Sequence, residues 1–214
     1  MKLYNYFRSS ASYRVRIALH FKGLAYEYVP VHLVRNGGEQ LTPTYRKVNR
    51  DAPVPALVDE NQVILQSLAI VEYLEEKHPE PPRLPKDPLS RAYVRSIALQ
   101  IACEIHPLDN PRVLKYLRND IGASEEAKST WYRHWIEAGF STLEQRLASD
   151  ARTGQFCYRD NPTVADLFLI PLVFNAQRFN VDMHQYPTIQ RIYDAAMKRA
   201  PFASASPSRQ PDAE

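Results

Sequence analysis

The sequence predicts a small α/β domain followed by an all-helical domain, and three observations predict it. Short apolar runs alternate with helical spacing over residues 1–80. Two of those runs, separated only by Glu60-Asn61, read as a β-hairpin. Beyond a proline-rich stretch, every further segment has helical periodicity.

In chain order, Lys2-Leu3-Tyr4-Asn5-Tyr6 is the first strand, and a helix over about 12–22 follows, with Val15, Ile17, Ala18, Leu19 and Phe21 as its apolar residues. Gly23 stops that helix, and Tyr26 to Val31 reads as a second strand. Such a unit implies a parallel pair joined by a right-handed crossover. A segment with Gly37-Gly38 leads to a short helix near Glu39 to Val48. Val54 to Asp59 and Gln62 to Leu65 form the hairpin, and Ser67 opens a helix, Leu68 to Lys77, with Leu68, Val71 and Leu74 on one face. The order βαβαββα is a thioredoxin-like plan, assigned to residues 1–80. From His78 to Pro88 come Pro79, Pro81, Pro82, Pro85 and Pro88, a stiff linker over 81–88. Helices over about 89–118, 124–149, 163–178 and 187–199 make a helical substrate domain at 89–202, and the Ala/Ser/Pro-rich residues 203–214 read as a flexible tail.

Composition narrows the function. The 214 residues are 44% hydrophobic and 24% charged, and 27 basic against 24 acidic residues leave a net charge of +3. That balance argues against a nucleic-acid surface and suits a small anionic ligand. No apolar signal region and no run of 18 apolar residues occur, which reads as a soluble cytoplasmic protein with no membrane partner. Cys103 and Cys157 lie far apart with no Cys-x-x-Cys spacing and no His cluster, so neither a metal site, a disulfide nor a catalytic thiol is expected.

Three features of the first domain carry chemistry. Arg8-Ser9-Ser10 stands where a strand gives way to a helix; a serine there either caps orphan N–H groups or presents its hydroxyl to a bound thiolate. In Pro53-Val54-Pro55, a cis Pro55 would turn the Val54 backbone outward to pair with an extended peptide, whereas a trans Pro55 would simply make a rigid turn. Gln66-Ser67 at the start of the next helix is either a cap or a carboxylate holder that uses the helix dipole. Together they describe an anionic, peptide-like ligand, as glutathione is. In the second half, Pro107 and Pro111 should bend the first long helix so that His106 and Asn110 face a cleft. Arg112 and Arg178 are either carboxylate ligands or solvated helix-end cations. Thr163 with Asp166 is a capping-box variant of structural purpose.

With Ser9-Ser10-Ala11-Ser12-Tyr13-Arg14-Val15-Arg16-Ile17-Ala18-Leu19, Val54-Pro55, Gln66-Ser67-Leu68-Ala69-Ile70-Val71-Glu72-Tyr73-Leu74-Glu75 and Thr163-x-x-Asp166, the chain resembles the zeta-class glutathione transferases of the maleylacetoacetate isomerase type, from residue 1 to about 200. The resemblance implies the glutathione transferase fold, a cis Pro55, Val54 pairing with the cysteinyl backbone of glutathione, and Gln66 and Ser67 on its γ-glutamyl carboxylate. It implies Ser9 and Ser10, with Arg8, as the catalytic set, and His106 and Asn110 as further glutathione contacts. Arg8, Arg112 and Arg178 would bind a small dicarboxylic keto acid, and the assembly would be a homodimer. The family motif has a cysteine where this chain has Ala11, a tryptophan where it has Tyr13, and Asn-Pro where it has Asn49-Arg50. Any mechanism that needs that thiol is therefore excluded. The implied reaction is glutathione-dependent cis–trans isomerisation of maleylacetoacetate or maleylpyruvate. General glutathione conjugation, α-halo acid dehalogenation and a non-catalytic glutathione-binding module are the rival readings.

Overall fold

The computed structural model describes residues 1–214 as two units, Met1–Arg83 with Lys198–Glu214, and Leu84–Met197. In the first unit β1 (Lys2–Asn5), α1 (Ser10–Phe21), β2 (Glu27–Pro30), α2 (Pro43–Arg46), β3 (Ala56–Asp59), β4 (Gln62–Leu65) and α3 (Ser67–Lys77) follow in order. The sheet order is β2-β1-β3-β4, with β1 and β2 parallel and the other pairs antiparallel. The expected helix at 39–48 is instead a 3₁₀ turn at Glu39–Leu41 and the single turn α2, because Pro43 lacks the N–H that would join them. β3 starts at Ala56 rather than Val54, since the prolines at 53 and 55 offer no ladder donor.

The ladder register decides where the motifs lie. Ala56 stands opposite Tyr4 on one side and Leu65 on the other. The end of β1, the start of β3 and the end of β4 therefore share one end of the sheet. Arg8-Ser9-Ser10, Val54-Pro55 and Gln66-Ser67 follow or precede those strand ends directly and must converge there.

The flexible tail expected at 203–214 is corrected. α9 (Ala200–Ser204) and a 3₁₀ turn at Pro207–Arg209 pack on the first unit; Phe202 and Ala205 are fully buried, and Phe202 meets Phe21 edge-on at 5.2 Å. Gln210 donates to the carbonyls of Ser204 and Ser206 at 3.0 and 2.8 Å, and Asp212 accepts from the Phe7 N–H at 3.2 Å and from the Tyr28 hydroxyl. Low-complexity composition hid the buried Ala205 and a set of specific polar contacts. A chain ending at Ser208 should lose about 2 kcal/mol, because the Phe7 N–H and the Tyr28 hydroxyl lose a charged acceptor. A thermal melt should then fall by about 4–8 °C; a frayed tail would leave it unchanged.

The second unit is α4 (Pro88–Leu99), α5 (Pro111–Asn119), α6 (Glu125–Ser149), α7 (Val164–Arg178) and α8 (Pro187–Met197). Pro88, expected in the linker, is the first residue of α4, where proline suits a helix start; Asp87 caps it by accepting from the Ser90 N–H at 2.8 Å. The single helix expected over 89–118 is three pieces. After α4 the chain widens into a π-helical turn, Gln100–Ile105, and the His106 N–H reaches back to the Ile101 carbonyl at 3.0 Å. Pro107 and Pro111 then stop the ladder until α5 begins. α6 passes this turn at Gly139, where a Cβ would meet the Ile105 side chain, so a larger residue there would force Ile105 to shift.

Candidate active site

In the first unit Ser9 is the N-cap of α1: its hydroxyl oxygen accepts from the Ser12 N–H at 3.2 Å, and its backbone N–H donates to the Tyr6 carbonyl at 3.0 Å. The capping role and the thiolate role do not compete, because a hydroxyl keeps its proton to donate while its oxygen accepts. Ser10 is the first helical residue and is buried. Arg8 is half-buried, with its guanidinium 4.6 Å over the Phe7 ring and 3.5 Å from Glu214. Ala11 follows, so this junction offers hydroxyls, a guanidinium and a helix N-terminus, with no thiol.

The turn before β3 is fixed by its neighbours. The Tyr45 hydroxyl and the Asn49 amide both donate to the Pro53 carbonyl, at 3.0 and 2.7 Å. Burial pushes the Tyr45 hydroxyl up to about 12, so it remains a donor at neutral pH. The Val54-Pro55 bond is cis, and the Val54 side chain packs with Tyr6, Phe7, Val31 and Tyr45. Its backbone precedes the first ladder pair, Tyr4 with Ala56.

Gln66 is exposed and has a φ of 68°, a left-handed conformation that a non-glycine residue holds only under local constraint. Ser67 is not the cap residue; it is buried as the first residue of α3. Its hydroxyl oxygen accepts from the Arg14 guanidinium at 3.2 Å.

The sequence reading missed the residues beneath this site. Arg14 and Arg16 are both buried on α1. Arg14 ties α1 to the start of α3 through Ser67. Arg16 donates to the carbonyls of Ala205, Tyr6 and Phe7 at 3.0, 3.3 and 2.9 Å and to the Asn5 side chain at 3.0 Å. Burial lowers its pKa from the usual arginine value, and the nearby Tyr28, Tyr26, Tyr13 and Asp212 offset only part of that. The available signal was two arginines alternating with Tyr13, Val15 and Ile17 on a helix whose neighbours are all core residues.

In the second unit His106, Asn110 and Arg112 lie at the bend after the π turn and the start of α5, whereas Arg178 ends α7. His106 is half-buried at the start of that bend. Asn110 caps α5, its side-chain oxygen accepting from the Arg112 N–H at 3.1 Å, and so keeps its amide donors for another partner. Arg112 is exposed in the first turn of α5, and Arg178 is the exposed last residue of α7, its guanidinium 4.9 Å over the Phe179 ring. Phe179 stacks on Tyr132 of α6 at 3.6 Å, and Asn175 donates to the Tyr132 hydroxyl at 2.9 Å. The capping box at the other end of α7 forms: Asp166 accepts from the Thr163 N–H at 2.7 Å and also holds the Cys157 N–H at 2.8 Å.

Residues 3–82 match the family model described as glutathione S-transferase, N-terminal domain. A maleylacetoacetate isomerase of Pseudomonas aeruginosa is 45% identical over 213 residues, covering 99% of this chain and 98% of the relative. A solved holo maleyl pyruvate isomerase, described as a bacterial zeta-class glutathione S-transferase, is 44% identical with a TM-score of 0.97, covering 100% of both chains. A maleylacetoacetate isomerase from Methylobacterium extorquens, solved with malonate and glutathione bound, is 41% identical with a TM-score of 0.96, again covering 100% of both chains.

Proposed function

The chain belongs to the zeta class of glutathione transferases, the family of the maleylacetoacetate and maleylpyruvate isomerases, and from that premise we propose that it is a glutathione-dependent cis–trans isomerase of a small unsaturated keto diacid. The observation that carries this is the ladder register, which gathers the Ser9-Ser10 junction, the Val54-Pro55 turn and the Gln66-Ser67 helix start at one end of a sheet. These residues fit glutathione: two helix N-termini for its charges and an unladdered Val54 backbone for its cysteinyl amide.

Glutathione supplies a thiolate that adds to the conjugated C=C bond, moving its electron pair onto the carbonyl oxygen; rotation about the resulting single bond and expulsion of the thiolate give the trans acid. The residues of the chain make this feasible. Ser9 and Ser10 donate hydroxyl hydrogens to the sulfur, and the N-terminus of α1 adds a positive field. Gln66 and Ser67 take the γ-glutamyl carboxylate, with Arg14 behind Ser67 as a fixed cation. His106 and Asn110 supply further donors to glutathione. Arg8, Arg112 and Arg178 hold the substrate carboxylates and the charge that develops on the carbonyl oxygen.

The relative solved with malonate and glutathione favours a dicarboxylic substrate. Maleylacetoacetate is the first reading, giving fumarylacetoacetate in aromatic-ring catabolism; maleylpyruvate is the second, favoured by the maleyl pyruvate isomerase among the structural relatives. We also place the enzyme in the cytoplasm as a homodimer. An exposed free thiol, Cys103, suits a reducing compartment, and the homodimer follows the family.

Assay with fresh maleylacetoacetate and maleylpyruvate, with and without glutathione, tests the proposal: turnover only with glutathione supports it, and glutathione binding without turnover of either acid overturns it. Arg178→Ala and Arg112→Ala should each lower kcat/KM for the diacid by roughly 10- to 100-fold, the value of a charge-assisted hydrogen bond. Chlorodinitrobenzene, a neutral electrophile, should lose far less. Equal losses on both would mean that these arginines do not read carboxylates.

A further inference from the structure

Three donors meet one carboxylate beside the Ser9-Ser10 junction. Glu214 places one carboxylate oxygen 2.8 Å from the Arg35 guanidinium and 3.3 Å from His32 Nε2, and the other 3.5 Å from the Arg8 guanidinium. Arg8 is the residue before Ser9, so the cluster borders the position proposed for the thiolate.

The donors are built into the unit. His32 is 6% exposed, and its Nδ1 accepts from the backbone N–H groups of Val34 and Arg35 at 3.2 and 2.7 Å, so the ring hydrogen is on Nε2. The Glu39 carboxylate accepts from the His32 N–H at 2.7 Å, the Glu39 N–H donates to the His32 carbonyl at 2.7 Å, and the ring meets Tyr6 edge-on at 4.8 Å. This frame brings Nε2–H up to Glu214, yet that buried group makes no hydrogen bond. Arg8 Nε is likewise shut off from water and unpaired, with the guanidinium stacked over the Phe7 ring. Buried donors are almost always satisfied, and two orphans around one anion mark the place of a better-seated acceptor.

Glu214 is poorly suited to hold that place permanently. Its side chain and those of Arg8 and Arg35 are open to solvent, so the ion pairs between them are weak. Asp212, fastened to the Phe7 N–H and the Tyr28 hydroxyl, anchors the segment, and Glu214 lies two residues beyond that anchor.

We propose that Arg8, His32 and Arg35 form a pocket for one carboxylate of the diacid, and that Glu214 fills it in the free enzyme as a tethered competitor. The proposal rests on the reading of Arg8 as a substrate clamp and adds His32 and Arg35 to it. An entering carboxylate takes the Nε2–H of His32 and the Nε–H of Arg8 that Glu214 leaves unbonded, and Glu214 returns to water. A neutral electrophile gains nothing from these donors, so Glu214 acts as a filter that only a carboxylate displaces.

The test is the affinity for malonate, a diacid with no C=C bond to react, at saturating glutathione. It is read as competitive inhibition and, without turnover, as the rise in melting temperature that malonate causes. Glu214→Gln keeps the side-chain length and removes the charge. Malonate should then bind about two- to fivefold more tightly, the fold-change that an exposed ion pair commands, and KM for the diacid should fall to match. Turnover of chlorodinitrobenzene by Glu214→Gln should be unaltered. His32→Asn keeps an acceptor where Nδ1 stands and loses the Nε2 donor, so malonate affinity should fall by roughly tenfold, the value of a hydrogen bond to a charged group. Melting curves without malonate establish that both variants are folded.

Unchanged or weaker malonate binding in Glu214→Gln overturns the competitor role; weaker binding would mean that Glu214 holds Arg8 in place for the substrate. Unchanged binding in His32→Asn overturns the pocket. Arg8→Ala with unaltered malonate affinity defeats the clamp reading itself, whereas lost affinity in Arg8→Ala beside a Glu214→Gln that binds no tighter defeats only the competitor. If neither maleyl acid is turned over while malonate binding follows the expected order, the pocket stands and the isomerase proposal fails.

Discussion

Arg16→Met should lose about 3–5 kcal/mol of folding stability, the range for removing one partner of a buried charged network. Methionine keeps most of the side-chain volume, so the loss isolates the guanidinium. Three carbonyls, of Tyr6, Phe7 and Ala205, and the Asn5 side chain would be left buried with one donor fewer each. Relief of the buried charge offsets part of that cost, because burial disfavours the Arg16 cation as it stands. For a chain of this length the melting temperature should fall by about 6–20 °C.

The consequence for function is as specific. Tyr6 and Phe7 are the residues between β1 and Arg8, and Ala205 is the residue through which α9 is fastened to them. Loosening those carbonyls loosens the junction that presents Ser9 and Ser10. The glutathione KM of Arg16→Met, measured well below its melting point, should rise several-fold. A melt within about 1 °C of the natural protein would mean that the four bonds contribute nothing net against desolvation.

Much of this fold was legible because its signals are local. Gly23 ends α1, Glu60-Asn61 turns the hairpin, and the 3.6-residue spacing of Leu68, Val71 and Leu74 marks α3. The positions of the candidate site motifs were legible for the same reason: Ser9-Ser10, Val54-Pro55 and Gln66-Ser67 are contiguous pairs at element ends. What was not legible depends on partners distant in sequence. The tail reads as disordered until Ala205 is seen accepting from Arg16, 189 residues away, and Asp212 holding Phe7, 205 residues away. The π turn packs against α6 at Gly139, and Ser67 proves to be the first residue of α3 rather than its cap, its hydroxyl engaged by Arg14 of α1.

Replacing both Ser9 and Ser10 with alanine should abolish glutathione-dependent turnover, with kcat falling by at least the 10²- to 10³-fold (about 2.7–4 kcal/mol) that follows removal of a donor to a developing anion. Ala11 offers no thiol at the third motif position, so in the proposed mechanism the hydroxyls and the α1 N-terminus hold the thiolate alone. The double variant should still bind glutathione within a few-fold of the natural affinity, since Val54, Gln66 and Ser67 are untouched. The pKa of the bound thiol, followed by the ultraviolet absorbance of the thiolate, should move up toward that of free glutathione. Ser9→Ala alone also removes the cap on the Ser12 N–H, which costs about 1 kcal/mol, so its melt should fall by about 2–4 °C. Ser10→Ala leaves that cap in place, and it should lose turnover. Separating the two effects is what the pair of single variants is for. Undiminished turnover in the double variant would remove the serines from the mechanism and leave the helix terminus as the sole source of activation.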